Sequence, residues 1–344
     1  MLAITGSNGK STVTAMTAAM CRAAGLNTVM AGNIGLPVLD AALQARESAQ
    51  PDVYVVELSS FQLETTHSLR CDAAAMLNLS EDHLDRYASM AEYAEAKRRI
   101  FGYADHQVLN RDDVVSKSMR DPSRAVSTFG LSKPLSNAEF GIHEDHLFEG
   151  GSALMPLADL PVAGMHNAAN ALAAFALARA IGLDAARLAD GLREFKGLPH
   201  RLEWVASCNG VTWYDDSKGT NVGSTVAALD GMNVPVVLIA GGIGKEQDFA
   251  PLAEPIARRA RAVVLIGRDA RLIEKAIASA NVPVVHAESM ESAVHAARKH
   301  AHPGDAVVLS PACASFDMFK NYGHRGEVFA ACVRALSGEV RHVV

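Results

Sequence analysis

Short, fully apolar runs bounded by Gly, Pro or polar turns punctuate the chain. They predict buried strands at residues 1–4, 53–56, 73–79 and 107–110. Between them, apolar positions recur at helical spacing. Residues 12–24 form one such stretch, closed by Gly25. Residues 89–101 form a second, opened by Ser89 with Glu92 three positions on, the pattern of a capping box. Residues 167–181 are Ala-rich and end at Gly182. Between about 116 and 161 the rhythm weakens to β-like pieces at 138–142 and 146–148. Strands alternating with helices predict an α/β protein whose sheet is largely parallel.

The pattern breaks at Gly197-Leu198-Pro199-His200-Arg201 and then restarts, with apolar strands at 236–240, 262–266, 282–286 and 306–309. Four βα units fit one Rossmann-like domain. The expected architecture is a P-loop-type central ATPase domain (1–198) with a mostly parallel sheet, plus a C-terminal Rossmann-like α/β domain (199–344). A length of 344 residues agrees with two domains at about 150 residues each. Hydrophobic residues at 49% exclude a disordered chain. A net charge of -6 disfavours nucleic acid as a partner. No apolar run reaches the ~18 residues of a membrane helix, so no membrane insertion is expected. The five cysteines lack metal-type spacing and read as reduced thiols. With no secretory leader recognisable, a cytoplasmic location is expected. The chain opens directly on a core strand, which is expected to leave apolar surface at that edge.

Thr5-Gly6-Ser7-Asn8-Gly9-Lys10-Ser11-Thr12 follows a strand and opens a helix. Glycines there let backbone N–H groups approach phosphate oxygens, the helix N-terminus favours an anion, Lys10 reaches the β and γ phosphates, and the Ser11 hydroxyl suits Mg²⁺. Ile4 stands where the usual spacing has glycine, so the loop is a shortened variant. Glu57 ends a buried strand, where α/β proteins place ligand contacts; the alternative is a solvated strand end. Ser59 also reads as a plain helix cap. His83, among Glu81, Asp82 and Asp85, is either a metal or proton-transfer residue or part of a charged turn. The pattern alone makes Lys97 a surface lysine. His143-Glu144-Asp145-His146 does not fit a zinc motif and reads as a solvated turn.

Taken together, Thr5 to Ser11 resembles the ATP loop of the Mur ligase family, which folylpolyglutamate synthetases share. Further segments resemble its D-glutamate-adding branch: Gly35-Leu36-Pro37, Glu57-Leu58-Ser59-Ser60-Phe61-Gln62-Leu63-Glu64, Glu81-Asp82-His83-Leu84-Asp85-Arg86, Gly197 to Arg201, Asp216-Ser217-Lys218-Gly219-Thr220-Asn221 and Ser310-Pro311-Ala312-Cys313-Ala314-Ser315. The resemblance runs the length of the chain.

It implies an ATP-dependent amide ligase of peptidoglycan precursor synthesis, acting through an acyl phosphate on UDP-N-acetylmuramoyl-L-alanine and D-glutamate. It implies ATP contacts from Gly6, Ser7, Asn8, Gly9, Lys10, Ser11 and Thr12, with Asn167 and Asn170 (beside His166) near adenine and Arg201 and Asp216 on phosphate and ribose. Ser11 and Glu57 would hold one Mg²⁺, and His83 and Lys97 a second, with Lys97 carbamylated into a carboxylate-like ligand. Asn33, Ser59 and Gln62 would face the UDP-sugar peptide. Lys218, Thr220, Lys245, Ser315, Phe316 and Tyr322 would seat D-glutamate. Catalysis would draw on Lys10, His83, Lys97 and Lys218, and closure of the C-terminal domain would exclude water. A monomer is expected.

Ile243 stands where the family often has an acid, which is expected to weaken D-glutamate binding. The N-terminal UDP-binding domain of the family has no counterpart in the sequence, so poor activity is expected of this chain alone. The alternatives are an ATP-binding Mur-like fragment without full ligase activity and a folylpolyglutamate synthetase-like ligase.

Overall fold

The computed structural model describes residues 1–47, 49–82, 86–162 and 164–339. The chain divides into two compact units: residues 1–80 with 87–196, and residues 81–86 with 197–344.

The first unit is built on a nine-stranded sheet. Its strands in chain order are β1 (Leu2–Thr5), β2 (Thr28–Gly32), β3 (Val53–Glu57), β4 (Cys71–Met76), β5 (Ala104–Asn110), β6 (Ala125–Phe129), β7 (Glu139–His143), β8 (His146–Glu149) and β9 (Ser152–Pro156). They lie in the order β2-β3-β1-β4-β5-β6-β7-β8-β9. Pairing is parallel from β2 to β7 and antiparallel through β8 and β9. β1 therefore lies inside the sheet, and Leu2, Ala3 and Ile4 are fully buried by the unit's own elements. The expected apolar exposure at this edge is not seen in these residues. The turn between β7 and β8 carries Glu144 and Asp145 at positive φ, so His143 to His146 is a hairpin turn. The expected helix at 89–101 is divided into an α-helix Met90–Arg98 and a 3-10 turn Arg99–Tyr103. Ser89 Oγ caps Glu92 N, but the Glu92 carboxylate turns to Ala88 N, so only half of the capping box forms.

The second unit holds a six-stranded sheet in the order β10-β11-β15-β12-β13-β14. The strands are β10 (Glu203–Cys208), β11 (Val211–Asp215), β12 (Val236–Gly241), β13 (Ala260–Ile266), β14 (Val284–His286) and β15 (Ala306–Leu309). Only the β10–β11 hairpin is antiparallel. Apolar residues cover both faces. Leu238, Val263 and Ile273 lie in one layer, and Trp213, Val264 and Phe329 in the other. Both sheets are mixed α/β structures dominated by parallel pairs. β10 and β11 were not anticipated, because residues such as Glu203, Trp204 and Ser207 lack the continuous apolar run of the parallel strands.

Candidate active site

The phosphate loop leaves the carboxyl end of β1. Gly6 (φ 155°) passes so close to β4 that a Cβ would lie 3.0 Å from Leu77 Cβ. Gly9 (φ 82°) opens the helix Lys10–Ala23, and a Cβ there would meet Asn170 Oδ1 at 2.5 Å. Asn170, itself bonded to Asn167 Oδ1 at 3.1 Å, thus packs on the loop. Around it, Asn78 Oδ1 accepts from Asn8 N at 2.8 Å, and Asn78 Nδ2 donates to Asn8 O at 3.1 Å. Ser7 Oγ donates to Ser80 O at 3.0 Å and accepts from Ser80 N at 3.0 Å. The loop is therefore fastened from outside. Lys10 folds back over it, its Nζ donating at 2.8 Å to Gly6 O and to Ser7 O. Ser11 and Thr12 are buried in the first turn of the helix.

Glu57 is not a solvated strand end. It is 2% exposed, in register with Ile4 of β1 and therefore beside the root of the loop. Asn33 Nδ2 donates to Glu57 Oε1 at 2.8 Å. Glu57 Oε2 is buried and has no hydrogen-bond partner. An unsatisfied buried carboxylate oxygen is costly unless a cation meets it. Together with the Ser11 hydroxyl, these oxygens suit a hard divalent cation such as Mg²⁺. Lys97, a surface lysine by pattern, is 1% exposed. Its Nζ donates to Gly6 O at 2.8 Å and lies 4.6 Å from the Tyr93 ring centroid. Ser59 and Gln62 bond each other as a capping box, Ser59 N donating to Gln62 Oε1 at 2.9 Å. His83 lies outside the described residues.

In the second unit, Asp216 accepts from Ser310 Oγ at 2.7 Å and feels the Arg201 guanidinium. Burial pushes its carboxyl up to about 7 against that hydrogen bond and that charge. Its neighbour Asp215 accepts from His200 Nδ1 at 2.7 Å, and this bond raises the His200 pKa. Lys218 Nζ donates to Tyr322 OH at 2.9 Å, so two of the residues expected to seat D-glutamate meet directly. Thr220 N donates to Lys218 O at 2.9 Å. Lys245, in left-handed backbone (φ 51°), faces Asp82 Oδ1 at 3.3 Å. Ile243 and Ala314 exchange backbone hydrogen bonds of 2.9 Å, which fixes the segment leading to Ser315. Ser315 is buried, whereas Phe316 is 71% exposed. Arg325 passed unnoticed in the sequence. It is 1% exposed and donates to Ser217 Oγ, Ser217 O and Cys313 O at 2.9, 2.8 and 3.1 Å. It thereby ties the Lys218 segment to the Ser315 segment.

The Asp216 carboxyl gives a pH prediction. Its folded value of about 7 lies above the roughly 3.9 of an unfolded aspartate. The folded state then holds a proton that the unfolded state releases, so this group's contribution to stability falls as pH rises from about 4 to 7. Asp216→Asn is expected to flatten that part of the melting-temperature profile. Parallel profiles for the two proteins would refute the buried-proton reading.

Two family models cover most of the chain. The Mur ligase middle domain matches residues 4–178, and the Mur ligase glutamate ligase domain matches residues 200–313. The chain belongs to the Mur ligase family. It is 59% identical over 342 residues to the UDP-N-acetylmuramoylalanine--D-glutamate ligase of Thiobacillus denitrificans, covering 98% of this chain and 72% of that protein. It is 56% identical over 340 residues to the enzyme of the same name from Methylobacillus flagellatus, covering 98% and 74%. Among solved structures it resembles a pseudomurein peptide ligase type C from Methanothermus fervidus (TM-score 0.74, 19% identity, 97% of this chain and 78% of that one). That likeness, at such low identity, speaks for the fold. As a Mur ligase, the chain carries the loop, the buried carboxylate and the buried lysine within its middle-domain match, and Arg201, Asp216, Lys218 and Lys245 within its glutamate-ligase match. No helix among the described residues is long and apolar enough to cross a membrane.

Proposed function

We propose that this chain is an ATP-dependent ligase that joins D-glutamate to UDP-N-acetylmuramoyl-L-alanine in peptidoglycan precursor synthesis. The observation that carries this is the 59% identity across 98% of the chain to an enzyme of that name. In this reading the L-alanyl carboxylate attacks the γ-phosphate, ADP leaves, and the D-glutamate amine displaces phosphate from the acyl phosphate. The phosphate loop binds and orients the nucleotide through its N–H groups and Lys10. Asn167 and Asn170 lie on the adenine side, and Arg201 and Asp216 serve phosphate and ribose. Asn33, Ser59 and Gln62 face the UDP substrate. The D-glutamate carboxylates are met by the ammonium groups of Lys218 and Lys245, with Thr220, Ser315, Phe316 and Tyr322 shaping the pocket. Ser11 and Glu57 would hold one Mg²⁺, and His83 and Lys97 a second, and the bound ion would supply charge neutralisation for phosphoryl transfer. The working domains are 1–198 and 199–344, in a cytoplasmic monomer.

The test is phosphate release with ATP, UDP-N-acetylmuramoyl-L-alanine and D-glutamate. Turnover requiring all three is expected. ATP binding without turnover would favour a nucleotide-binding fragment instead. Carbamylation of Lys97 fits a lysine whose Nζ is buried 2.8 Å from a loop carbonyl rather than in water. Lys97→Ala is accordingly expected to lose activity and to regain part of it with added short carboxylic acids. A folded variant that no such acid rescues would argue against a carbamate.

A further inference from the structure

Glu57 is gripped at both ends by one residue. Asn33 N donates to Glu57 O at 2.9 Å, and Asn33 Nδ2 donates to Glu57 Oε1 at 2.8 Å. The turn that carries Asn33 is itself fixed. Gly32 N donates to Leu36 O at 2.9 Å, and Ala31 bridges Leu36. Gly32 (φ 110°) brings the chain so near that a Cβ there would stand 2.2 Å from Glu57 O. A glutamate side chain is otherwise free to sample several rotamers, and ordering it costs conformational entropy. Here one oxygen is already engaged by a neutral amide, which orients the carboxylate without cancelling its charge. The other oxygen, Oε2, is buried and without a partner.

We propose that Asn33 is a positioning residue for the metal-binding carboxylate. It locks the Glu57 rotamer and leaves Oε2 as the single oxygen offered to the divalent cation of the phosphate site. This inference rests on Glu57 being a ligand of that cation. It is independent of any contact between Asn33 and the UDP-sugar peptide, and it predicts an effect when that substrate is absent.

The test uses Mn²⁺ as the probe. Its binding to the full chain with a non-hydrolysable ATP analogue, and no UDP substrate, is followed by electron paramagnetic resonance and corrected for Mn²⁺ held by the nucleotide alone. Partners that orient a metal ligand typically set affinity by about 10–100-fold. Asn33→Leu is expected to weaken Mn²⁺ binding by about 10-fold or more, in that range, and Glu57→Gln by at least as much. Asn33→Ser removes the amide without adding bulk and gives the same comparison if the leucine variant does not fold. If Glu57→Gln weakens binding while the folded Asn33 variants bind like the unaltered protein, the positioning role is overturned and the ligand assignment survives. If Glu57→Gln also leaves binding unchanged, the assignment of Glu57 falls and the inference falls with it.

Discussion

Lys10→Ala is expected to abolish ATP-dependent phosphate release, with a loss of at least about 10³-fold. The ammonium belongs to the loop's own sequence, and it arrives preorganised, held at 2.8 Å by Gly6 O and by Ser7 O. With nucleotide bound, the same group would exchange carbonyl oxygens for phosphate oxygens, whose charge attracts it far more strongly. Alanine removes that charge where negative charge accumulates during phosphoryl transfer. The fold should survive, because Asn8 and Ser7 remain fastened by Asn78 and Ser80. A single-turnover assay, with circular dichroism as the folding control, checks both halves. Turnover near that of the unaltered chain would remove Lys10 from the phosphate site.

Gly242→Ala is expected to destabilise the second unit by about 3 kcal/mol or more and to raise the KM for D-glutamate in whatever fraction folds. A Cβ there would lie 2.2 Å from the Ala314 carbonyl oxygen, and the backbone stands at φ 134°, which side chains rarely adopt. Neither obstacle is a flexible side-chain end that can move aside. Relief requires the 243–314 backbone pair to separate, and that pair aligns the segments carrying Lys245 and Ser315. Thermal melting together with D-glutamate saturation curves measures both effects. A variant that melts with the unaltered protein and keeps its KM would show that this close approach is not structural.

Sequence periodicity located the central parallel strands β1, β3, β4, β5, β12, β13 and β15, because strands buried on both faces must be apolar throughout. It missed β10 and β11, where polar residues such as Glu203 and Thr212 interrupt the apolar pattern, β6 and β9, where Ser127, Thr128 and Ser152 do the same, and β2, whose Thr28 and Gly32 break the run. The phosphate loop was legible since its glycines, lysine and serine are consecutive. The environments of Glu57 and Lys97 were not. A carboxylate at a strand end and a lysine in a charged helix look solvated until β1 and Tyr93 are placed against them. Arg325 was invisible for the same reason. Its partners, Ser217 and Cys313, belong to separate segments, and only folding reveals that a guanidinium is needed between them.

The interior position of β1 also constrains how the first unit is made. β1 precedes all its sheet neighbours in the chain, yet Thr5 bonds a residue 53 positions later and Met1 one 71 positions later. On a ribosome, this strand emerges without either flank and has to wait, apolar and unpaired, until β3 and then β4 follow. Closing such long loops costs entropy before any pairing compensates, and parallel sheets of this kind form slowly and expose aggregation-prone edges meanwhile. Nascent chains stalled before residue 76 should therefore engage holdase chaperones, and those stalled after residue 110 should release them.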